Sequence, residues 1–283
     1  MLAYQIKIAL KSLRRNPALS ALVICGIGLG IAVSTAFITT YYLMAGDPIP
    51  HKSDRLFYVE IDAWDPEYPF DEEHPERPPN QITYRDLRGL MESGIPTYQS
   101  GMFKSSLTIQ PAGEDDRPYR ARTRMCFGDF FQMFEVPFQY GGGWGPSVDE
   151  NQEPVVVIDR ETNQRLFGGE DSVGSKVRIN NRDFTVVGVV GDWRPDIKYY
   201  DLNNSPVEAP EEIYIPFNHL EAMEISSTGN SMGWKFYPGN EYQDFLQSES
   251  TWIQMWVQLD DRRQYEEYAA FLDAYALEQK RLG

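Results

Sequence analysis

Between Asn16 and Gly46 the chain carries no charged residue. The apolar run inside that stretch, Ala18 to Met44, is 27 residues long. As a helix rising 1.5 Å per residue it reaches roughly 40 Å, more than the ~30 Å of a bilayer's hydrocarbon core. It crosses with some tilt, or with its ends among the headgroups. A cleaved signal peptide has an apolar region of only roughly 7–15 residues. Leu43-Met44-Ala45 is also a poor small-residue cleavage signal, so the run reads as a retained anchor. A buried helix of a soluble protein is disfavoured, because nothing else in the chain is apolar enough to surround it.

The flanks give the anchor a direction. Lys7, Lys11, Arg14 and Arg15 precede it, no acidic residue occurs before Asp47, and residues 47–283 hold 22 basic against 42 acidic residues, a net of −20. The positive-inside rule places residues 1–15 in the cytoplasm and the acidic body outside it, which in a bacterium is the periplasm. So acidic a body does not suit nucleic acid, whose phosphates call for a basic face. Leu2, Ile6, Leu10 and Leu13 recur at helical spacing, with the four cations mostly off that stripe. Residues 1–16 therefore read as a basic amphipathic helix on the inner membrane surface, its cations near anionic lipid headgroups. Asn16-Pro17 punctuates the chain, and Pro17 suits the first turn of a spanning helix over 17–46. Within the span, Gly26 and Gly30 form G-x-x-x-G, continued by Ala32, Ser34 and Ala36. Small residues let helices approach closely in lipid, so Gly26 and Gly30 are candidates for helix packing. Cys25 lies in the span and Cys126 in the body, so the two do not pair.

From residue 47 onward the patterns are those of a mixed α and β fold. Phe57, Val59 and Ile61 alternate within 56–62, as in a half-buried strand. Residues 62–80, rich in Pro, Asp and Glu, read as a loop. Asp71, Glu72, Glu73 and His74 lack both EF-hand and helical metal-ligand spacing, and read as a solvated acidic run. Thr83 with Asp86 resembles a capping box ahead of a helix face of Tyr84, Leu87, Leu90 and Met91. Strands are expected over 101–110 and 119–125. Phe127, Phe130, Phe131 and Phe134 make an aromatic stripe at helical spacing, read as core. Glu135 to Asn151, with Gly141-Gly142-Gly143, reads as a connection into an inserted β-rich lobe over roughly 136–250. Val155 to Ile158 suits a strand buried on both faces. A short helix follows from Asp159 and stops at Gly168-Gly169. Lys176 to Val190 reads as a hairpin turning at Asn180-Asn181. Further strands are expected around Ile213–Phe217 and Trp252–Leu259. Asp261 with Gln264 starts a last helix whose stripe is Tyr265, Tyr268, Ala269, Leu272, Tyr275 and Ala276. The opening and closing segments are expected to pair as one α/β sandwich.

No catalytic constellation emerges. His51, His74 and His219 lack metal-ligand spacing, and no G-x-S-x-G elbow occurs. Gly169 to Lys176 approaches a phosphate-loop pattern but ends Ser-Lys instead of Lys-Ser. It also lies between a helix and a strand, the reverse of the order that chemistry needs. Cys126, between Met125 and Phe127, reads as a buried thiol. No cofactor is expected.

Taken in order, the segments resemble the MacB/FtsX-type ABC transporter permeases and their MacB-like periplasmic core domain. The matching pieces are Leu10-Lys11-Ser12-Leu13-Arg14-Arg15-Asn16-Pro17, Pro48-Ile49-Pro50-His51-Lys52-Ser53-Asp54-Arg55-Leu56 and Tyr84-Arg85-Asp86-Leu87-Arg88. Gly128-Asp129-Phe130-Phe131, Pro154-Val155-Val156-Val157-Ile158, Phe167-Gly168-Gly169 with Val173-Gly174, Phe184-Thr185-Val186-Val187-Gly188-Val189 and Glu212-Ile213-Tyr214-Ile215-Pro216 follow. The implied architecture is α+β: one N-terminal transmembrane helix, then a two-lobed periplasmic domain over 47–283, a porter-like α/β lobe carrying the β-rich insertion.

The resemblance further implies a non-enzymatic permease subunit in the bacterial inner membrane, its N-terminus cytoplasmic. Its expected partners are a cytoplasmic ABC ATPase, a second permease subunit (the same chain or a relative) and a periplasmic adaptor protein. ATP hydrolysis would belong to the ATPase, with Lys7, Lys11, Arg14 and Arg15 near it. The periplasmic domain would pass ATP-driven motion to partners or cargo in export or lipoprotein handling. The family has three more spanning helices after this domain and the present chain has no second apolar stretch, which suggests the N-terminal part of a longer permease or a shortened form. The alternative is a single-span, membrane-anchored binding or scaffold module working without an ATPase. An anchored enzyme is a third reading.

Overall fold

The computed structural model describes residues 4–5, 11, 15–46, 49–65, 67–111, 117–195, 197–205, 208–235, 237 and 239–282. They fall into two compact units, divided between Asp47 and Pro48.

The first unit is built on one helix, α1, Pro17–Ala45. Proline at its first turn costs no hydrogen bond, since the N–H it lacks has no partner there. The helix carries no charge from end to end. Its stretch Pro17–Tyr42, 26 residues, is long and apolar enough to cross a membrane. Leu22, Ile24, Phe37, Tyr41 and Tyr42 stand exposed on it. A Cβ added at Gly26 or Gly30 would meet nothing within 4 Å. The surface helix expected over 1–16, with Lys7 and Arg14, lies largely outside the described residues; Lys11 and Arg15 are exposed.

Among the described residues, the second unit is organised by nine strands. They are β1 (Leu56–Val59), β2 (Tyr98–Gln110), β3 (Tyr119–Cys126), β4 (Phe138–Gly141), β5 (Val155–Ile158), β6 (Lys176–Ile179), β7 (Arg182–Val190), β8 (Ile213–Pro216) and β9 (Gln254–Gln258). Their order is β1-β9-β2-β3-β8-β5-β7-β4, with β6 pairing both β2 and β7. The opening and closing segments of the body do pair, because β9 lies antiparallel between β1 and β2. The pairings β2–β3–β8–β5–β7–β6–β2 close a ring. The segment 136–250 thus completes its ring with β2 and β3, which precede it in the chain.

Strand alternation sorts the side chains onto two faces. One face carries Phe103, Leu107 and Ile109 of β2, Val156 and Ile158 of β5, Ile213 and Ile215 of β8, and Met255 and Val257 of β9. It is covered by α2 (Tyr84–Met91), through Leu87 and Leu90, by α6 (His219–Met223), through Leu220, by α7 (Tyr242–Leu246), through Leu246, and by α8 (Arg262–Leu282), through Tyr268. The approach of α2 is close enough that a Cβ on Gly101 would sit 2.3 Å from Leu87 Cδ1. The opposite face carries Met102, Val155, Val157, Tyr214 and Trp256. It is covered by Phe130, Phe131 and Met133 of α3 (Asp129–Met133), with Phe134. Each phenylalanine so buried contributes roughly 1.5–3 kcal/mol. The aromatic stripe is core, as its spacing suggests, but Phe127 packs on the first face and the other three on the second.

Local chemistry sets the element ends. Thr83 caps α2, its hydroxyl oxygen accepting from Asp86 N at 3.0 Å. Asp159 caps α5 (Arg160–Phe167), accepting from Thr162 N at 2.7 Å, and Gly168 ends that helix in the left-handed region at φ +70°. Asn180 and Asn181, both at positive φ, make the β6–β7 turn. β7 slips by one residue past β5 between Val156 and Val157. The slip turns Val187 to the second face, while Val186 and Val189 both face the first.

Three expectations shift. β1 stops at Val59, and Ile61 reaches the core from a loop. The connection 135–151 contains β4 and the short helix α4 (Pro146–Asn151). On α8 only Tyr268 of the expected stripe is fully buried, and Tyr265 is 49% exposed beside Phe57.

Candidate interaction site

The second face of the sheet carries a basic stripe. Alternation along β3 puts Arg120, Arg122, Arg124 and Cys126 on one side, and Lys104 of β2 is the direct cross-strand partner of Arg124. Like charges placed opposite one another destabilise a sheet unless countercharge lies over them. Residues 197–205 and 208–212 supply it. Lys104 Nζ lies 2.6 Å from Glu208 Oε1. Arg122 donates to Pro210 O at 3.0 Å and pairs with Glu212 at 3.3 Å. Arg124 Nη2 lies 2.5 Å from both Asp201 Oδ2 and Glu211 Oε1. The Arg124, Asp201 and Glu211 side chains are 0%, 0% and 1% exposed.

Further bonds complete the cluster. Lys198 Nζ donates to Glu211 at 3.0 Å, Tyr200 Oη donates to Glu211 at 2.7 Å, and Gln254 Nε2 donates to Asp201 at 2.7 Å. The Arg124 guanidinium also lies 5.3 Å from the Tyr200 ring. Burial by itself raises a carboxyl group's pKa. For Asp201 and Glu211 burial is the largest single effect, but Arg124 acting together with the other donors, Gln254 and Asn204 on Asp201 and Lys198 and Tyr200 on Glu211, outweighs it and holds both below the usual carboxylate range. Among the described residues Arg124 Nε and Nη1 have no hydrogen-bond partner. The cluster is a clasp that ties an acidic strap to a basic sheet face. It presents no activated nucleophile.

Beside the strap lies a cleft of about 170 Å³ lined by Val190, Trp193 and Tyr214, with Asp159, Arg160 and Asp192 around it. Tyr214 comes from β8, Asp159 and Arg160 from the start of α5, and Asp192 and Trp193 from the turn after β7. Trp193 stacks on Tyr200, with centroids 5.2 Å apart and planes 18° apart, so the strap forms one wall. Asp159 is half-buried, and burial pushes its pKa up.

The residues singled out from sequence lie elsewhere. Gly26 and Gly30 are on α1, in the other unit. His51 bonds Glu135 at 2.8 Å, His74 lies 3.6 Å from Glu76, and His219 Nε2 lies 3.0 Å from Glu153 O. They are far apart in their partners and share no ligand. Among the described residues no group of three or more His, Cys, Asp and Glu side chains is placed to hold a metal. Cys126 is fully buried, which raises its thiol pKa well above normal. Residues 168–175 form the turn from α5 into β6, with Gly168, Gly169 and Gly174 at positive φ. Arg124, Asp201 and Glu211 gave no sequence signal. An arginine on an alternating strand reads as solvent-facing until the strap is placed over it.

The body resembles the crystal structure of the periplasmic region of MacB from Actinobacillus actinomycetemcomitans, at 14% identity and TM-score 0.49 over 81% of this chain and 88% of that one. It also resembles the extracellular domain of the noncanonic ABC-type transporter YknZ from Gram-positive bacteria, at 16% identity and TM-score 0.43 over 75% and 86%. In sequence, the macrolide export ATP-binding/permease protein MacB of Photorhabdus laumondii is 32% identical over 65 residues, 23% of this chain and 10% of that protein. A probable export ATP-binding/permease protein of Pseudomonas fluorescens is 38% identical over 64 residues, 22% of this chain and 10% of that protein. The match to the curated relatives thus spans a tenth of their length. The MacB-like periplasmic core domain family matches residues 20–275, so that apolar helix and body together place the chain in that family.

Proposed function

We propose that this chain is the anchoring helix and periplasmic domain of a MacB-type ABC transporter permease, passing ATP-driven motion to partners outside the membrane. The observation that carries the reading is the single family match running from within α1 to near the end of α8. In this reading α1 spans the inner membrane with residues 1–16 in the cytoplasm. Lys7, Lys11, Arg14 and Arg15 lie near an ABC ATPase and anionic lipid. ATP hydrolysis takes place outside residues 1–283, and no residue here is assigned to it. Gly26 and Gly30 pack against a helix of a second permease copy or partner. The body is a porter-like lobe with an inserted lobe at roughly 136–250 and meets a periplasmic adaptor. The charge asymmetry across α1, four cations before it and a net of −20 after it, supports this orientation.

Two measurements test the reading. Protease added outside intact spheroplasts should degrade the body; a body left untouched refutes the topology. Purification in mild detergent should bring down an ABC ATPase. Its reproducible absence with the complete gene product would favour an anchored scaffold.

A further inference from the structure

We propose that the cleft between α5 and the strap is a socket for one cationic side chain, lysine or arginine, presented by a protein partner outside the membrane. Its volume of about 170 Å³ falls below the roughly 300–1,000 Å³ of pockets for cofactors and drug-sized ligands. It suits a single long side chain.

The sign of the guest follows from which lining charges are already engaged. Arg194 pairs with Glu161, Arg122 with Glu212, and Glu211 with Arg124 and Lys198. Among the described residues, Asp159, Asp192 and Arg160 line the cleft without an ion-pair partner, two carboxylates against one guanidinium. Tyr214 lines the cleft too. It is 1% exposed, and its hydroxyl has no hydrogen-bond partner among the described residues. A guest N–H entering the cleft would give that hydroxyl a partner. The Trp193 ring adds a face that attracts cations. The body's net charge of −20 draws a basic partner toward it from a distance. The socket belongs to the folded body alone, so it holds or fails independently of any ATPase.

The test uses the full chain in non-ionic detergent, labelled with 5-fluorotryptophan, with the Trp193 resonance assigned from Trp193→Phe. Agmatine is the guanidinium probe and glutarate the anionic one, at constant ionic strength. Agmatine should shift the Trp193 signal saturably, on the order of millimolar, as expected for so small a guest. Glutarate should not. Asp159→Asn with Asp192→Asn should weaken agmatine about five-fold or more, and Asn still caps α5. The other tryptophan resonances report whether that variant is folded, and Asp192→Asn alone, at an exposed position, is the fallback with a smaller loss. Saturable binding of glutarate in place of agmatine overturns the proposal. So does an agmatine shift that never saturates, or one unchanged in the folded variants.

Discussion

Replacing Arg124 by Met removes the cation that touches both Asp201 and Glu211 while keeping an unbranched side chain of similar reach. Breaking a buried ion pair from one side costs about 3–5 kcal/mol, because an uncompensated charge stays buried. Here two carboxylates lose their partner, yet Lys198 still faces Glu211 and Gln254 still donates to Asp201. The expected loss is therefore at the lower end, about 3 kcal/mol. For a body of this size that corresponds to a fall of roughly 6–12 °C in Tm. All six tryptophans lie after residue 47, so thermal unfolding followed by tryptophan fluorescence in detergent reads the body without α1.

The pH dependence separates charge from packing. Asp201 and Glu211 have folded pKa values below their unfolded ones. Their stabilisation is fully present above about pH 4 and is lost as pH falls below it toward the folded values. Without Arg124 most of that stabilisation is lost, so the deficit of the variant should be full at pH 7 and shrink by on the order of 1–2 kcal/mol at pH 3. Adding Asp201→Asn should recover about half of the loss or more, since Glu211 keeps Lys198 and Tyr200. A loss below about 1 kcal/mol, or a deficit equal at pH 7 and pH 3, refutes the view that the cluster clasps strap to sheet by charge.

Asp149 behaves in the opposite sense. Burial pushes its pKa up to about 7, against hydrogen bonds from Gly128 N at 2.8 Å and Trp144 Nε1 at 3.0 Å. Its folded pKa exceeds the unfolded one, so its contribution is present below about pH 4 and is lost as pH rises toward 7. The stability of the native chain relative to Asp149→Asn should fall by on the order of 3 kcal/mol between those pH values and then level off, as read from denaturant midpoints. Gly188→Ala places a Cβ 2.2 Å from Gly142 O at the β7 bulge, whereas Gly142→Ala meets nothing within 4 Å. The first should cost about 1–3 kcal/mol and the second little; equal thermal shifts would refute that packing. Gly26→Ile with Gly30→Ile should weaken crosslinking between membrane-embedded copies, and unchanged crosslinking would refute packing through that face.

How much of this was legible in the residues depends on distance along the chain. Caps, turns and amphipathic stripes join residues no more than about four positions apart, and their signals survive in sequence. The helix from Pro17, the Thr83 and Asp159 caps, the Asn180-Asn181 turn and the buried run Val155–Ile158 were all readable that way. The length of uncharged chain before Asp47 likewise marked a helix long enough to cross a membrane, because bilayer thickness sets its scale. Folding in three dimensions alone set β9 between β1 and β2, and β8 between β3 and β5. It alone brought Arg124 to carboxylates 77 and 87 residues away. An alternating strand specifies which side a residue takes, and what covers that side is chosen by chain returning from far off, which leaves no local trace.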